Sequence, residues 1–92
     1  MEEAVQDLDE YIQGLEDDVF KGKASPKKGA LGNMFSAVQD KLEQDEFVGA
    51  VNQLHGIRGK ADGLGVDWIK DSVAQGHICG KIDDIVAYIE TL

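Results

Sequence analysis

Through the stretch Phe47 to Ile69, FVGAVNQLHGIRGKADGLGVDWI, apolar residues recur at three- and four-residue steps. Phe47, Ala50, Val51, Leu54, Ile57 and Ala61 therefore share one face of a helix. A strand would need strict apolar–polar alternation between turn residues, and no segment of the chain has it. Asp62-Gly63 reads as the stop of this helix, and Asp67 as the cap of the next. Trp68, the only tryptophan, then falls at a helix start beside Ile69. The other helices are expected to pack around this corner.

The remaining segments carry the same period. Val5, Leu8, Ile12, Leu15 and Val19 form a stripe over residues 3 to 20, widened by Ala4, Tyr11 and Phe20, and the opposite face is acidic. Residues 21 to 25 read as a linker. Ser25-Pro26 opens a second helix, with serine as cap and proline at the first helical position. Its apolar face is Leu31, Met34, Phe35, Val38 and Leu42, and Gly29 and Gly32 weaken its first half. Asp45 is the expected cap of the third helix, which runs to about Lys60; Gly49, Gly56 and Gly59 interrupt it, either where another backbone comes close or as a flexible seam. Ile69 and Val73 begin the fourth segment, and Ile78, Ile82, Ile85, Val86, Ile89 and Leu92 make the cleanest stripe of all. Gly76 divides this segment into an expected short helix at 67–75 and a longer one at 77–91. The reading is all-α: a small antiparallel four-helix bundle in one domain spanning 1–92, its last helix kinked or split near Gly76.

A chain of 92 residues buries only about two-thirds of its unfolded surface, so its core has little to spare. The net charge of −9 repels phosphate backbones and anionic lipid, which argues against nucleic-acid and membrane binding by charge. Lys21, Lys23, Lys27 and Lys28 are the one basic cluster, placed to balance the acidic end of the first helix. No apolar run approaches the ~18 residues of a membrane span. Met1-Glu2-Glu3-Ala4 has neither basic residues nor an apolar core, so no signal peptide is expected in this stretch.

Few residues of the chain could carry chemistry. A nucleophile needs a base within reach, and the base an orienter. Cys79, His55 and His77 are the candidates; His77 and Cys79 are two apart and so face different ways on a helix, while His55 belongs to another segment. One cysteine allows no intrachain disulfide, and Cys79 reads as a small packing residue. Zinc sites show paired ligands, such as C-x2-C or H-x3-H, and none occurs. A calcium loop needs oxygen ligands at its positions 1, 3 and 5. Counted from Asp62, those positions meet Leu64 and Val66, so the aspartates 62, 67 and 71 read as caps and surface charge. Gly63-Leu64-Gly65 lacks the strand before it and the Gly-Lys-Ser/Thr after it that a phosphate loop needs. Asp83 and Asp84 diverge on a helix, and Gly76-x-x-x-Gly80 lacks the apolar context of a membrane packing motif. No catalytic residue, cofactor or metal is expected.

From Leu31 onward the chain carries Leu42-Glu43 with Phe47, Gly49-Ala50-Val51-Asn52-Gln53-Leu54, Lys60-Ala61-Asp62-Gly63, Asp67-Trp68-Ile69, Gln75, and Ile85 to Leu92 with Tyr88 inside it. In these residues it resembles a FIMAH-like helical module found near the C-terminal ends of secreted multidomain proteins of bacteria and archaea. The resemblance implies a module without catalytic residues that accompanies peptidase, lipase or carbohydrate-active domains. Archaeal-type members often carry one cysteine after the Asp-Gly and another after Asp-Trp-Ile; Leu64 and Ser72 stand there in this chain, which departs from that pattern.

The expected function is a non-catalytic accessory interaction or spacer module of a larger extracellular or cell-surface protein. It would bind a protein partner or neighbouring domains of the same chain. The alternative is a standalone acidic adaptor or inhibitor that binds a protein partner, cytoplasmic if Met1 is the native start. A ligand carrier or enzyme would need a pocket lined by His55, Trp68 or Tyr88. The structural or interaction candidates are Phe47, Leu54, Asp67, Trp68, Ile69 and Tyr88.

Overall fold

Among the described residues, four amphipathic stripes become four α-helices. The computed structural model describes residues 2–61 and 68–92. Helix α1 is Glu2–Gln13, α2 Ala24–Glu43, α3 Phe47–Arg58 and α4 Ser72–Glu90, with a 3-10 turn at Asp17–Val19. Each helix touches the next, and α1 touches α4. Between neighbours, residue numbers rise along one helix as they fall along the other. Gln13 meets Lys28 across α1 and α2, and Gly32 lies against Asp9 and Gln13. Gly49 lies against Lys41 and Gly56 against Met34. Arg58 reaches Asp83 and Ala61 reaches Cys79. Tyr11 stacks on His77, while Ala4 lies near Ile85. All four neighbouring pairs are therefore antiparallel, and the four helices enclose one apolar cluster. The bundle measures 37 × 21 × 20 Å.

The stripes supply that cluster almost as spaced. Val5, Leu8 and Ile12 of α1 are buried, as are Leu31, Phe35, Val38 and Leu42 of α2. Ala50, Leu54 and Ile57 come from α3, and Ile78, Ile82, Ile85, Val86 and Ile89 from α4. Val73 leaves the stripe and is exposed.

Helix boundaries differ from expectation in ways that local chemistry explains. Helix α1 stops at Gln13 and does not reach residue 20. Gly14 is a poor helix former, and Glu16, Asp17 and Asp18 would place three negative charges at the negative end of the dipole. The Lys28 ammonium donates to the Leu15 carbonyl at 2.6 Å and sits 3.8 Å from Asp17, so part of the basic cluster does serve this end. Phe20, freed from the helix, is buried and forms an isolated antiparallel bridge with Ile69. Lys21 N–H donates to the Trp68 carbonyl at 2.9 Å, and Lys70 N–H to that of Val19 at 2.8 Å.

Ser25 is not a cap. Helix α2 begins two residues earlier than expected, at Ala24, with Lys23 before it and no side-chain cap bond. Buried Ala24 draws that turn into the helix, and Pro26 still falls in the first turn, where its missing N–H has no partner to lose. The helix continues through Gly29 and Gly32.

Asp45 is not a cap of α3 either. Its φ is 59°, in the left-handed region. Asp45 N–H donates to the Leu42 carbonyl at 3.2 Å, and Glu46 N–H to that of Lys41 at 2.8 Å. This pair of bonds is the Schellman closure of α2, with aspartate where glycine is usual. Glu46 then precedes α3 without a side-chain cap bond. Gly49 and Gly56 meet only the side chains of Lys41 and Met34, so they are not places where two helix backbones touch.

Helix α4 is continuous from Ser72 to Glu90, so it is not split at Gly76. Two glycines cost about 1 kcal/mol each in a helix interior. Each buried Ile on the inner face contributes about 1.5–3 kcal/mol, so the stripe from Ile78 to Ile89 prevails. The cap is Asp71, whose carboxylate accepts from Ala74 N–H at 2.9 Å. Asp67, the expected cap, lies outside the described residues, as do Asp62, Gly63 and Leu64. Trp68 is consequently not at a helix start. It immediately precedes the bridged Ile69, and the first helical residue is Ser72.

Candidate interaction surface

The three side chains that could have made a catalytic group meet three different neighbours. His77 leans on the Tyr11 ring, with centroids 4.0 Å apart, on the α1–α4 seam. The Cys79 thiol donates to the Ala61 carbonyl at 3.4 Å, just past the end of α3. His55 is exposed on α3, beside the Arg58 guanidinium that meets Asp83 through two bonds, at 3.0 and 3.4 Å. Among the described residues, no three His, Cys, Asp or Glu side chains converge as a metal site. Nor is any described helix long and apolar enough to cross a membrane.

Exposed apolar side chains gather instead at one pole of the bundle. Val48 is 78% exposed, Leu92 61% and Tyr88 54%. Leu92 lies two residues past Glu90, where α4 ends, and so is no longer held on that helix's inner face. Val48 stands off the face shared by Phe47, Ala50, Val51 and Leu54, and so points outward. Between them lies a groove of about 300 Å³, floored by Phe47, Val51 and Ile89 and rimmed by Val48, Leu92, Asn52 and Glu90. Tyr88 borders a second recess on the other flank of α4, with Ala4 and Ile85.

The expected interaction residues are thereby separated. Phe47 lines the groove, whereas Tyr88 borders the recess on the other flank of α4. Leu54 and Ile69 are buried core residues with no surface to offer. Trp68 is half-buried near the opposite pole. Its backbone N–H donates to the Lys60 carbonyl at 2.7 Å, and its ring lies 4.3 Å under the Lys60 ammonium. Sequence reasoning missed Val48, Val51 and Ile89 as parts of one surface. The available signal was Val48 itself, a large apolar residue out of phase with its helix's stripe.

Both poles carry carboxylates, and most of the lysines gather at the Trp68 pole, beside the exposed Glu16, Asp17, Asp18 and Asp71. Lys21 and Lys70 flank the Phe20–Ile69 bridge, Lys60 covers Trp68, Lys27 lies against Gly22, and Lys28 closes the end of α1. The groove pole carries Glu43, Asp45, Glu46 and Glu90, all exposed, with Lys41 spread along Gly49 as the neighbouring cation. Compared with known proteins, the chain matches no protein-family model, no curated protein and no solved structure.

Proposed function

We propose that this chain is a non-catalytic interaction module of a larger extracellular or cell-surface protein. It engages a protein partner, or a neighbouring domain of the same polypeptide, through the groove between α3 and α4. The carrying observation is the concentration of Val48, Leu92 and Tyr88 at one pole of a small bundle. The other large apolar side chains described, Val73 apart, are at least partly buried. Exposed apolar patches rimmed by polar groups mark interaction sites more often than they mark accidents of composition. The divergence of His55, His77 and Cys79 supports the non-catalytic part of the reading, and the FIMAH-like resemblance supports the extracellular part.

A photo-crosslinking residue placed at Val48, and separately at the equally exposed Val73 as control, tests this in the native host. The reading expects a discrete adduct from position 48, none from position 73, and loss of the adduct on Leu92→Ser. Equal labelling from both positions, or none from position 48, overturns it. Immunoblotting of secreted and cellular fractions separates a module within a longer secreted polypeptide from a standalone adaptor that uses the same groove.

A further inference from the structure

Resting on that reading, we infer that the occupant of the α3–α4 groove is a cationic amphipathic helix of a protein partner. The floor of Phe47, Val51 and Ile89 and the flanking Val48 and Leu92 make a trough open at its sides. A trough between two helices accepts the apolar face of a third, whose anchors recur at helical spacing. The rim selects the charge of the other face. Glu90 lines the groove, Glu46 immediately precedes Phe47, Asp45 lies in the turn before it and Glu43 ends α2. Lysine or arginine flanking the partner's apolar stripe would meet these carboxylates, which steers encounter and fixes orientation. The same rim opposes a second copy of this chain, which would bring its own Glu46 and Glu90 to the contact in a molecule of net charge −9. It opposes an anionic lipid surface for the same reason.

The test uses designed helices as probes, with binding followed by fluorescence anisotropy and mapped by amide chemical shifts of the full chain. One probe has a leucine face and a lysine face. A second replaces lysine by glutamate, and a third keeps the lysines but replaces leucine by serine. The Leu/Lys helix is expected to bind, to shift Phe47, Val51 and Ile89, and to weaken several-fold when salt brings the Debye length to about 3 Å. Val48→Ser with Leu92→Ser should weaken it about tenfold or more through lost apolar burial. Glu46→Gln and Glu90→Gln should each weaken it about two- to fivefold, as removal of a rim charge does. All four side chains are exposed, so an unchanged thermal melt confirms that the variants stay folded. If the Leu/Glu helix binds the groove as well as the Leu/Lys helix, the inference of a cationic occupant is overturned while the groove reading stands. Equal binding by the Lys/Ser helix reduces the interaction to net charge and overturns the inference. Concentration-dependent groove shifts without any probe would make a second copy the occupant and overturn it too. No groove shift with any helix overturns both the inference and the assignment of this groove as the docking surface.

Discussion

The turn that aims Phe47 into the groove rests on Asp45 in a left-handed conformation, and Asp45→Gly should stabilise the protein. For an L-residue that conformation costs about 1–2 kcal/mol, less for aspartate than for most. Glycine removes the cost but loses more backbone entropy on folding, about 0.5–1 kcal/mol. Aspartate also places a negative charge at the C-terminal end of α2, an unfavourable contribution of about 0.3–1 kcal/mol. The side chain is exposed and the Schellman bonds use backbone atoms only, so no packing is lost. The net expectation is a gain of about 0.5–1 kcal/mol, or about 2–8 °C in Tm for a domain of this size. Two companion variants separate the causes. Asp45→Asn tolerates the same backbone and removes only the charge, so it should show the electrostatic part alone. Asp45→Ala removes the charge but retains the steric cost, so it should fall below Asp45→Asn. Thermal melts by circular dichroism, repeated in urea, measure all three. If alanine stabilises as much as glycine, left-handed strain is not what limits this turn, and the account of the α2–α3 connection fails.

Other consequences follow from particular contacts. Gly76→Ala and Gly80→Ala should each stabilise by up to about 1 kcal/mol, because both glycines lie inside α4 with nothing within 4 Å of an added Cβ; destabilisation on denaturant titration would mean that α4 is broken there after all. Asp71→Ala should cost about 1 kcal/mol by removing the acceptor for Ala74 N–H, and Asp71→Asn or Asp71→Ser should restore most of it, as melts of the three variants would show. Trp68→Ala should cost about 2–3 kcal/mol in chemical denaturation, between a fully buried plug and a surface platform, because the ring is half-buried under Lys60. A loss well below 1 kcal/mol would place its role in binding rather than in packing.

What the sequence determined by itself was the fold class and the inner face of each helix. Period is a local property: Leu31, Phe35, Val38 and Leu42 must share a side whatever they pack against, and Ile78 to Ile89 likewise. Short connections then left few arrangements besides antiparallel neighbours. Helix ends were less legible, because Asp, Ser and Gly serve several turn chemistries equally well. Asp45 was as good an N-cap on paper as it is a left-handed C-terminal residue in the fold, and the choice fell to how α2 closes onto α3. Gly76 looked like a break, yet the burial of isoleucines on the other side of α4 outweighed it. Phe20 was in phase with its helix, but pairing with Ile69, far along the chain, drew it out. The groove depended on tertiary structure most of all. Nothing local says which side chains of α3 and α4 end up side by side at one pole, and it is the antiparallel meeting of the two helices that brings Leu92 and Val48 beside Phe47.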